Sequence, residues 1–95
     1  MRDENFEWDD EKAASNRVKH GVSFEMARSV FDDPFLFEWI NTIQGHDEVR
    51  FAALGMVEQR TIFVAYTLRD ERIRIISARR ATAFERRTYD VENKI

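Results

Sequence analysis

The chain has 95 residues and a net charge of −3, with 15 Lys and Arg against 18 Asp and Glu. This length corresponds to one domain, residues 1–95, and a hydrophobic fraction of 43% with eight Phe argues against disorder. The lack of cysteine excludes disulfides and thiolate metal sites. No apolar run reaches the roughly 20 residues of a membrane span, and the acidic start is unlike a signal peptide. We therefore expect a cytoplasmic protein without a membrane partner.

Two helices are predicted near the start of the chain, after a short aromatic strand at residues 6–8. An aspartate can cap a first helix over about 10–20, and Gly21 suits the left-handed residue that ends it. Ser23 caps a second helix, in which apolar residues recur at helical spacing. Pro34 should stop this helix, because the residue before a proline avoids the helical region.

Four strand-like segments follow, at residues 35–42, 50–57, 61–68 and 72–78. Short breaks between the last three indicate antiparallel hairpins. Thr82 with Glu85 forms a capping box, so a last helix should begin at about residue 83. The order β-α-α-β-β-β-β-α does not alternate and indicates an α+β fold. We expect two N-terminal helices packed on a mainly antiparallel sheet of four to five strands, followed by a C-terminal helix.

Both faces of the last predicted strands are partly apolar. If the final strand alternates regularly, one face holds Ile73, Ile75, Ser77 and Arg79, and the other holds Arg74, Ile76, Ala78 and Arg80. The two N-terminal helices can cover one face. The other must be met by the C-terminal helix or by another chain.

Basic charge is concentrated near the end of the chain. Residues 69–89 hold seven Arg against three Asp and Glu, a local charge of +4 in a chain of −3. A guanidinium is always charged and donates to two oxygens at once, so arginines at the end of a rigid strand suit phosphate recognition. Arg79 and Arg80 close the last strand and should point to opposite faces, so that one of them faces a cleft. The alternative is a pair of surface arginines that balance nearby acids.

A family resemblance rests on blocks of residues spread in order over nearly the whole chain. These blocks are Phe6-Glu7-Trp8-Asp9, Lys12-Ala13, Asn16, Lys19-His20-Gly21-Val22-Ser23-Phe24-Glu25, Val30-Phe31-Asp32-Asp33-Pro34, Glu48 with Arg50, Arg74-Ile75-Ile76-Ser77-Ala78-Arg79-Arg80-Ala81-Thr82, Glu85-Arg86 and Tyr89. Together they closely resemble the BrnT family of type II toxin–antitoxin toxins. One departure concerns a His-Ser pair that often precedes the Glu-x-Arg motif of the family. His46-Asp47 stands there in this chain, so a role for that serine does not transfer.

The resemblance implies a RelE-like fold and a ribonuclease that arrests translation. It also implies a cognate antitoxin, usually of the BrnA type and encoded beside the toxin, which carries the DNA-binding domain. In this family two toxins and two antitoxins typically form a heterotetramer that represses its own operon. DNA contact would then come only through the antitoxin.

Metal-free cleavage of RNA needs a base for the 2′-hydroxyl, positive charge for the five-coordinate phosphate and an acid for the 5′-oxygen. The sequence contains no HExxH or EF-hand pattern, and its two histidines, His20 and His46, are remote from each other. We therefore expect a mechanism without a metal or other cofactor. RelE-like enzymes commonly rely on basic residues, which fits the arginine-rich end of this chain.

Further candidates lie on the predicted strands. Arg74 either contacts phosphate or forms a salt bridge across the sheet with Glu48 or another acid. Glu48 and Arg50 match the Glu-x-Arg pair of the family and point to one face of a strand, as a catalytic or a structural ion pair.

The first predicted helix carries a polar stripe, because Lys12, Asn16, Lys19 and His20 fall at i, i+4, i+7 and i+8. The stripe could bind an RNA backbone or supply an acid or base, for which His20 is suited near neutral pH. The alternative is a set of solvated lysines with charge that suits a helix C-terminus. Trp8 either stacks on a base or packs in the core. His46, in a predicted turn, is a weaker candidate.

Two other functions fit parts of the pattern. A non-enzymatic scaffold within a transcription-repressor complex would explain the apolar sheet face and the short chain. A stand-alone DNA-binding domain fits less well, because the chain is acidic overall and shows no recognition-helix pattern.

Overall fold

The computed structural model describes residues 1–41 and 48–93 and has the predicted α+β fold with the predicted order of elements. The strands are β1 (Phe6–Glu7), β2 (Phe37–Ile40), β3 (Arg50–Val57), β4 (Arg60–Arg69) and β5 (Arg72–Arg80). The helices are α1 (Asp10–His20), α2 (Phe24–Ser29), a 3-10 turn at Val30–Asp32, and α3 (Ala83–Glu92). None of the helices formed by the described residues has the length and apolarity needed to cross a membrane.

The five strands form one sheet in the order β1-β5-β4-β3-β2. The pairs β2–β3, β3–β4 and β4–β5 are antiparallel, whereas β1 is parallel to β5 at the edge of the sheet. Both hairpins turn through two residues of positive φ, Glu58 and Gln59 (50° and 67°) and Asp70 and Glu71 (48° and 66°). Turns of this kind match the twist of the strands, which fixes the register of β3, β4 and β5.

The helix ends follow the sequence signals. The side chain of Asp9 accepts a hydrogen bond from Lys12 N, and Gly21 ends α1 at φ 69°. Ser23 caps α2, and α3 begins with the full capping box of Thr82 and Glu85. The chain therefore enters each helix where the sequence predicts, but α2 ends at Ser29 and gives way to the 3-10 turn before Pro34 is reached.

One face of the sheet, called the first face, is covered by α1, α2 and the 3-10 turn. Its core includes Phe24, Val64 and Tyr66, which are all buried. A Cβ at Gly55 would lie 2.6 Å from Val30 Cγ1, so glycine at this position lets the 3-10 turn approach β3 closely. These contacts confirm that the two N-terminal helices pack on one side of the sheet.

The other face, called the second face, is covered by α3 over only part of its area. Leu54, Phe63 and Tyr89 form a buried cluster there, flanked by Phe37 and Trp39. The rest of the second face, called the open half, extends along β3, β4 and β5 away from α3. No helix in the described part of the chain packs on it.

The predicted division of β5 between the faces was wrong. Ala65 pairs with Ser77 and Tyr66 with Ile75, so Ile76 is an extra residue in a β-bulge. Beyond the bulge the alternation is shifted by one. Ser77 and Arg79 therefore lie on the second face with Arg74, while Ala78 and Arg80 lie on the first face with Ile73 and Ile75.

Candidate functional site

A row of polar residues crosses the open half of the second face. Arg50, Thr67, Arg74 and Glu7 lie side by side on β3, β4, β5 and β1, and we call them the arginine row. Neighbouring strands are about 4.8 Å apart, so the Cα atoms of Arg50 and Arg74 are roughly 10 Å apart across β4. Two long guanidinium side chains that start this close can reach one phosphate group between them.

Arg74 is held by an acid across the sheet. Its Nη1 donates to Glu7 Oε2 at 2.8 Å, and the two side chains are only 25% and 13% exposed. The salt-bridge alternative is therefore correct, and the acid across the sheet is Glu7, not Glu48. Only one of the five guanidinium N–H groups makes this bond. The pair fixes Arg74 and leaves donors for a ligand.

Glu48 lies among three arginines but pairs with none that the sequence suggested. Its carboxylate accepts from Arg69 Nε at 2.9 Å and from Arg69 Nη2 at 3.0 Å. The Arg69 hydrogen bonds lower the pKa of Glu48 most, although burial opposes them, and the charges of Arg69, Arg50 and Arg74 lower it further. The expected Glu48–Arg50 ion pair does not form, and Glu48 is an ionised carboxylate at neutral pH.

Arg50 contains a buried donor without a described acceptor. Its Nε is inaccessible to solvent and has no hydrogen-bond partner among residues 1–41 and 48–93. A buried N–H group left unpaired costs about 1–3 kcal/mol, so such groups are uncommon in folded proteins. Arg50 therefore combines a position in the arginine row with an unsatisfied donor.

Arg79 lies where the open half meets α3. It donates to both carboxylate oxygens of Glu85, at 2.7 and 3.0 Å, and its Cζ lies 4.1 Å from the ring centroid of Phe63. Burial raises the pKa of Glu85, but the hydrogen bonds from Arg79 and from the Thr82 backbone outweigh burial and lower it. Arg79 is thus rigid. It lies on the same face as Arg74, about 13 Å away along the strand.

Arg80 points to the other side of the sheet and does not join this group. It is exposed and borders a cleft of about 500 Å³ at the end of the sheet, which we call the arginine cleft. The cleft is lined by Arg60, Arg80, Arg86 and Arg87 together with Met56, Gln59, Thr61, Ala81, Ala83 and Asp90. The structure therefore separates the two neighbouring arginines into two sites.

The polar stripe of α1 is part structural and part exposed. Asn16 is buried and donates to Val22 O at 2.9 Å and to Ala78 O at 2.8 Å, while its Oδ1 accepts from Ala78 N at 3.2 Å. Its amide thus occupies the free edge of β5. Lys12 and Lys19 lie about one turn to either side and are exposed, so they extend beside the same edge.

His20 is exposed at the end of α1. Among the described residues, no hydrogen bond or ion pair joins it, Lys12 or Lys19 to the arginines of the open half. Within that part of the chain, His, Asp and Glu side chains form no cluster of three that could hold a metal ion. His46 lies outside the described residues.

Trp8 is a core residue. Its side chain is 5% exposed on the first face and packs edge-on against Phe24, with 5.9 Å between the ring centroids. The buried indole offers no free face to a nucleic-acid base. The packing alternative is correct, and the predicted base contact is not supported.

Two residues of the open half were missed from the sequence, Glu7 and Arg69. Alternation in β4 contains the signal for Arg69, because a regular strand puts Phe63 and Ala65 on the face opposite Ile62. Extending that alternation puts Thr67 and Arg69 on the second face. Glu7 could not be found in this way, because it depends on the parallel pairing of β1 with β5.

A protein-family model matches most of the chain. The model of a family described as the ribonuclease toxin BrnT of type II toxin–antitoxin systems matches residues 8–85. The matched range includes Glu48, Arg50, Arg74 and Arg79 of the open half. No curated protein matches the chain.

Proposed function

The chain belongs to the BrnT family of ribonuclease toxins of type II toxin–antitoxin systems, and on that premise we propose that the open half of the second face is its RNA-cleaving site. One observation supports this above all. The bulge at Ile76 turns Arg74 and Arg79 to the same face as Arg50, with the carboxylate of Glu48 near Arg50 and Arg74. Fixed positive charge beside a proton acceptor is the arrangement that phosphodiester cleavage needs.

The proposed reaction is a metal-independent transesterification. Glu48 accepts the proton of the 2′-hydroxyl, and the 2′-oxygen attacks the adjacent phosphorus. The guanidinium groups of Arg50 and Arg74 stabilise the negative charge of the five-coordinate phosphate. The bond to the 5′-oxygen then breaks, and the products are a 2′,3′-cyclic phosphate and a free 5′-hydroxyl.

Protonation of the leaving 5′-oxygen requires an acid. Lys12, Lys19 and His20 are the candidates, because α1 lies beside the edge of β5 and these side chains are exposed there. Arg79 would bind a second phosphate of the same strand, since it lies on the same face about 13 Å from Arg74. Arg80 would contact RNA only if the strand passes around the end of the sheet.

Cleavage of messenger RNA would inhibit translation and arrest growth. As a type II toxin, the protein has an antitoxin partner. We propose that this partner is of the BrnA type, that it binds as two copies with two toxins, and that it supplies all contact with DNA.

The direct test is RNA cleavage by the purified protein after complete removal of antitoxin. The substrate is a synthetic single-stranded RNA, and the variants are Arg50→Ala and Arg74→Ala. Arg17→Ala is the matched control, because Arg17 is exposed on α1 and contributes nothing to the open half. We expect each site variant to cleave at least about 100-fold more slowly, and the control to cleave at the wild-type rate.

Full activity in folded Arg50→Ala and Arg74→Ala would move the active site elsewhere. An inactive wild-type protein would remove the ribonuclease proposal itself. The scaffold alternative would then gain support, since Phe84 and Val91 are exposed on α3 as a partner-binding surface would be. A scaffold predicts tight antitoxin binding but no growth arrest when the toxin is expressed alone.

A further inference from the structure

Helix α3 presents apolar side chains to solvent. Phe84 is 71% exposed and Val91 63%. They lie seven residues apart and so on one side of the helix, with Arg87 and Thr88 between them. These four residues line a shallow pocket with Glu92, and we call them the α3 stripe. An exposed phenylalanine in line with an exposed valine is typical of a contact with another protein.

The arginine cleft adjoins this stripe and shares Arg87 with it. Four arginines and one acid, Asp90, line the cleft, which leaves a local charge of +3. Within residues 1–41 and 48–93, none of the four arginines forms a salt bridge. Arg86 donates to Ala81 O at 3.1 Å, and the cleft contains no other described side-chain bond of these arginines. The chain as a whole has a net charge of −3, so the cleft is a positively charged region on an acidic protein.

The cleft belongs to a different side of α3 from the RNA site. The stripe lies between them, because Phe84 and Thr88 also line a pocket with Glu85. The side of α3 that carries Glu85 contacts Arg79 and borders the open half. The side that carries Ala83, Arg86 and Asp90 lines the cleft. A ligand of the cleft therefore lies across α3 from the arginine row.

We propose that the α3 stripe and the arginine cleft together bind an acidic, partly apolar segment of the cognate antitoxin. Carboxylates of the segment enter the cleft, and an apolar side chain covers Phe84 and Val91. Charge complementarity and the apolar stripe favour this partner over RNA, whose phosphates would leave Val91 uncovered. The inference rests on the proposed function, because it takes the partner to be a neutralising antitoxin.

The position of the surface also suggests how docking reaches the site. Glu85 is on α3 and holds Arg79 through two hydrogen bonds. A segment bound along α3 would thus lie next to Glu85, the residue that holds Arg79 of the RNA site.

The test measures affinity for the full-length antitoxin encoded by the adjoining reading frame, by calorimetric titration at neutral pH. The variants are Arg60→Glu on β4, Arg87→Glu on α3, and Phe84→Ala. The controls are Arg17→Glu and Val18→Ala, since Val18 is 89% exposed on α1. We expect each cleft or stripe variant to bind about 10-fold more weakly or worse, and the controls to bind as the wild type does.

RNA cleavage by the free variants is measured in parallel and should equal that of the wild type. Arg60 and Arg87 lie on different elements, so a local folding defect would not weaken both variants together. Unchanged antitoxin affinity in all three variants would overturn the proposal. Slower cleavage with unchanged antitoxin affinity would assign the cleft to RNA and also overturn it. If the wild type cleaves no RNA but the variants lose antitoxin affinity, the ribonuclease proposal fails and the docking surface stands.

Discussion

Arg79 belongs both to the packing of the second face and to the candidate site. Its guanidinium stacks on Phe63 and donates twice to Glu85. We expect Arg79→Ala to lower the free energy of unfolding by about 1–3 kcal/mol, because it removes the cation–π contact and leaves Glu85 without its partner. Denaturation by urea measures this loss, and RNA cleavage should fall as well.

Arg79→Lys separates the two roles. Lysine keeps the charge but has no planar fork for bidentate bonds, so we expect it to recover part of the stability and little of the cleavage. Glu85→Gln is the companion variant, since glutamine retains the capping box of α3 while the ion pair is lost. Full cleavage by Arg79→Lys would show that Arg79 acts only as a point charge.

The pKa of Glu48 leads to a distinctive pH profile. Its Arg69 hydrogen bonds hold the pKa below the ordinary value of 4.5. A general base works only when deprotonated, so cleavage that depends on Glu48 should fall only as the pH drops below about 4.5. A reaction that depends on an imidazole base would already fall near pH 6.5.

The measurement is the single-turnover cleavage rate between pH 4 and 8, for the wild type, Glu48→Gln and His20→Ala. We expect Glu48→Gln to be at least about 100-fold slower throughout. A rate that already falls as the pH drops through about 6.5, with this fall absent in His20→Ala, would give the role of base to His20 instead.

At the scale of the elements, the β-bulge in β5 decides what the site contains. Residues 72–80 alternate regularly enough to predict a strand, and the sequence marks no position for an extra residue. The bulge satisfies two long-range requirements at once. Ala78 is buried on the first face beside Asn16, and Arg79 stacks on Phe63 on the second. Because both partners come from other elements, local pattern could predict the strand but not its faces.

Asp33 joins three elements of the fold. Its carboxylate accepts from Tyr89 Oη at 2.5 Å, from Met56 N at 2.7 Å and from Phe35 N at 2.8 Å. Burial raises the pKa of Asp33, but these hydrogen bonds outweigh burial and lower it below 3.8. A lowered folded-state pKa means that the stabilisation is present above the unfolded value and is lost as the pH falls through the folded one.

We expect Asp33→Asn to lower the free energy of unfolding by about 1–3 kcal/mol at pH 7, because two or more of these bonds weaken or lose geometry. The difference from the wild type should begin to shrink below about pH 4, where Asp33 of the unfolded chain takes up a proton, and should vanish as the pH falls through the lower folded-state pKa. Urea denaturation at pH 7 and pH 3.5 tests both statements. Asp32→Asn is the control, since Asp32 is the exposed neighbour. An equal loss at both pH values would contradict the assigned role of the carboxylate.

At the scale of the whole molecule, the sequence predicted the class and order of elements because their signals are local. The caps of Ser23 and Thr82 and the hairpin breaks lie within a few residues of the structure they determine. What the sequence did not predict depends on distant contacts. β1 pairs with β5 in parallel, and Asn16 bonds to Ala78, 62 residues away. Which residues lie in the open half could therefore be determined only from the three-dimensional structure.

The distribution of charge over the molecule leads to a last expectation, for binding of RNA. The net charge of the chain is −3, which disfavours general binding to nucleic acid. On the second face, however, five arginines lie together with three glutamates. They are Arg50, Arg69, Arg72, Arg74 and Arg79 with Glu7, Glu48 and Glu85. Three of these arginines are proposed phosphate ligands. They bind two phosphates, one shared by Arg50 and Arg74 and one bound by Arg79. A single-stranded RNA should then show a slope of log K against log salt of about −1.4, since each neutralised phosphate contributes roughly −0.7.

Removal of one ligand should change that slope by a defined amount. With an uncleavable 2′-O-methyl RNA, we expect Arg79→Ala to reduce the magnitude of the slope by about 0.7, because the phosphate that Arg79 binds alone and its released counterions are lost. Arg17→Ala, of equal charge change but outside the open half, should lower affinity slightly and leave the slope unchanged. An unaltered slope in Arg79→Ala would show that Arg79 serves the packing of the second face and not the RNA. Equal effects of both variants would mean that binding follows net charge and no defined site.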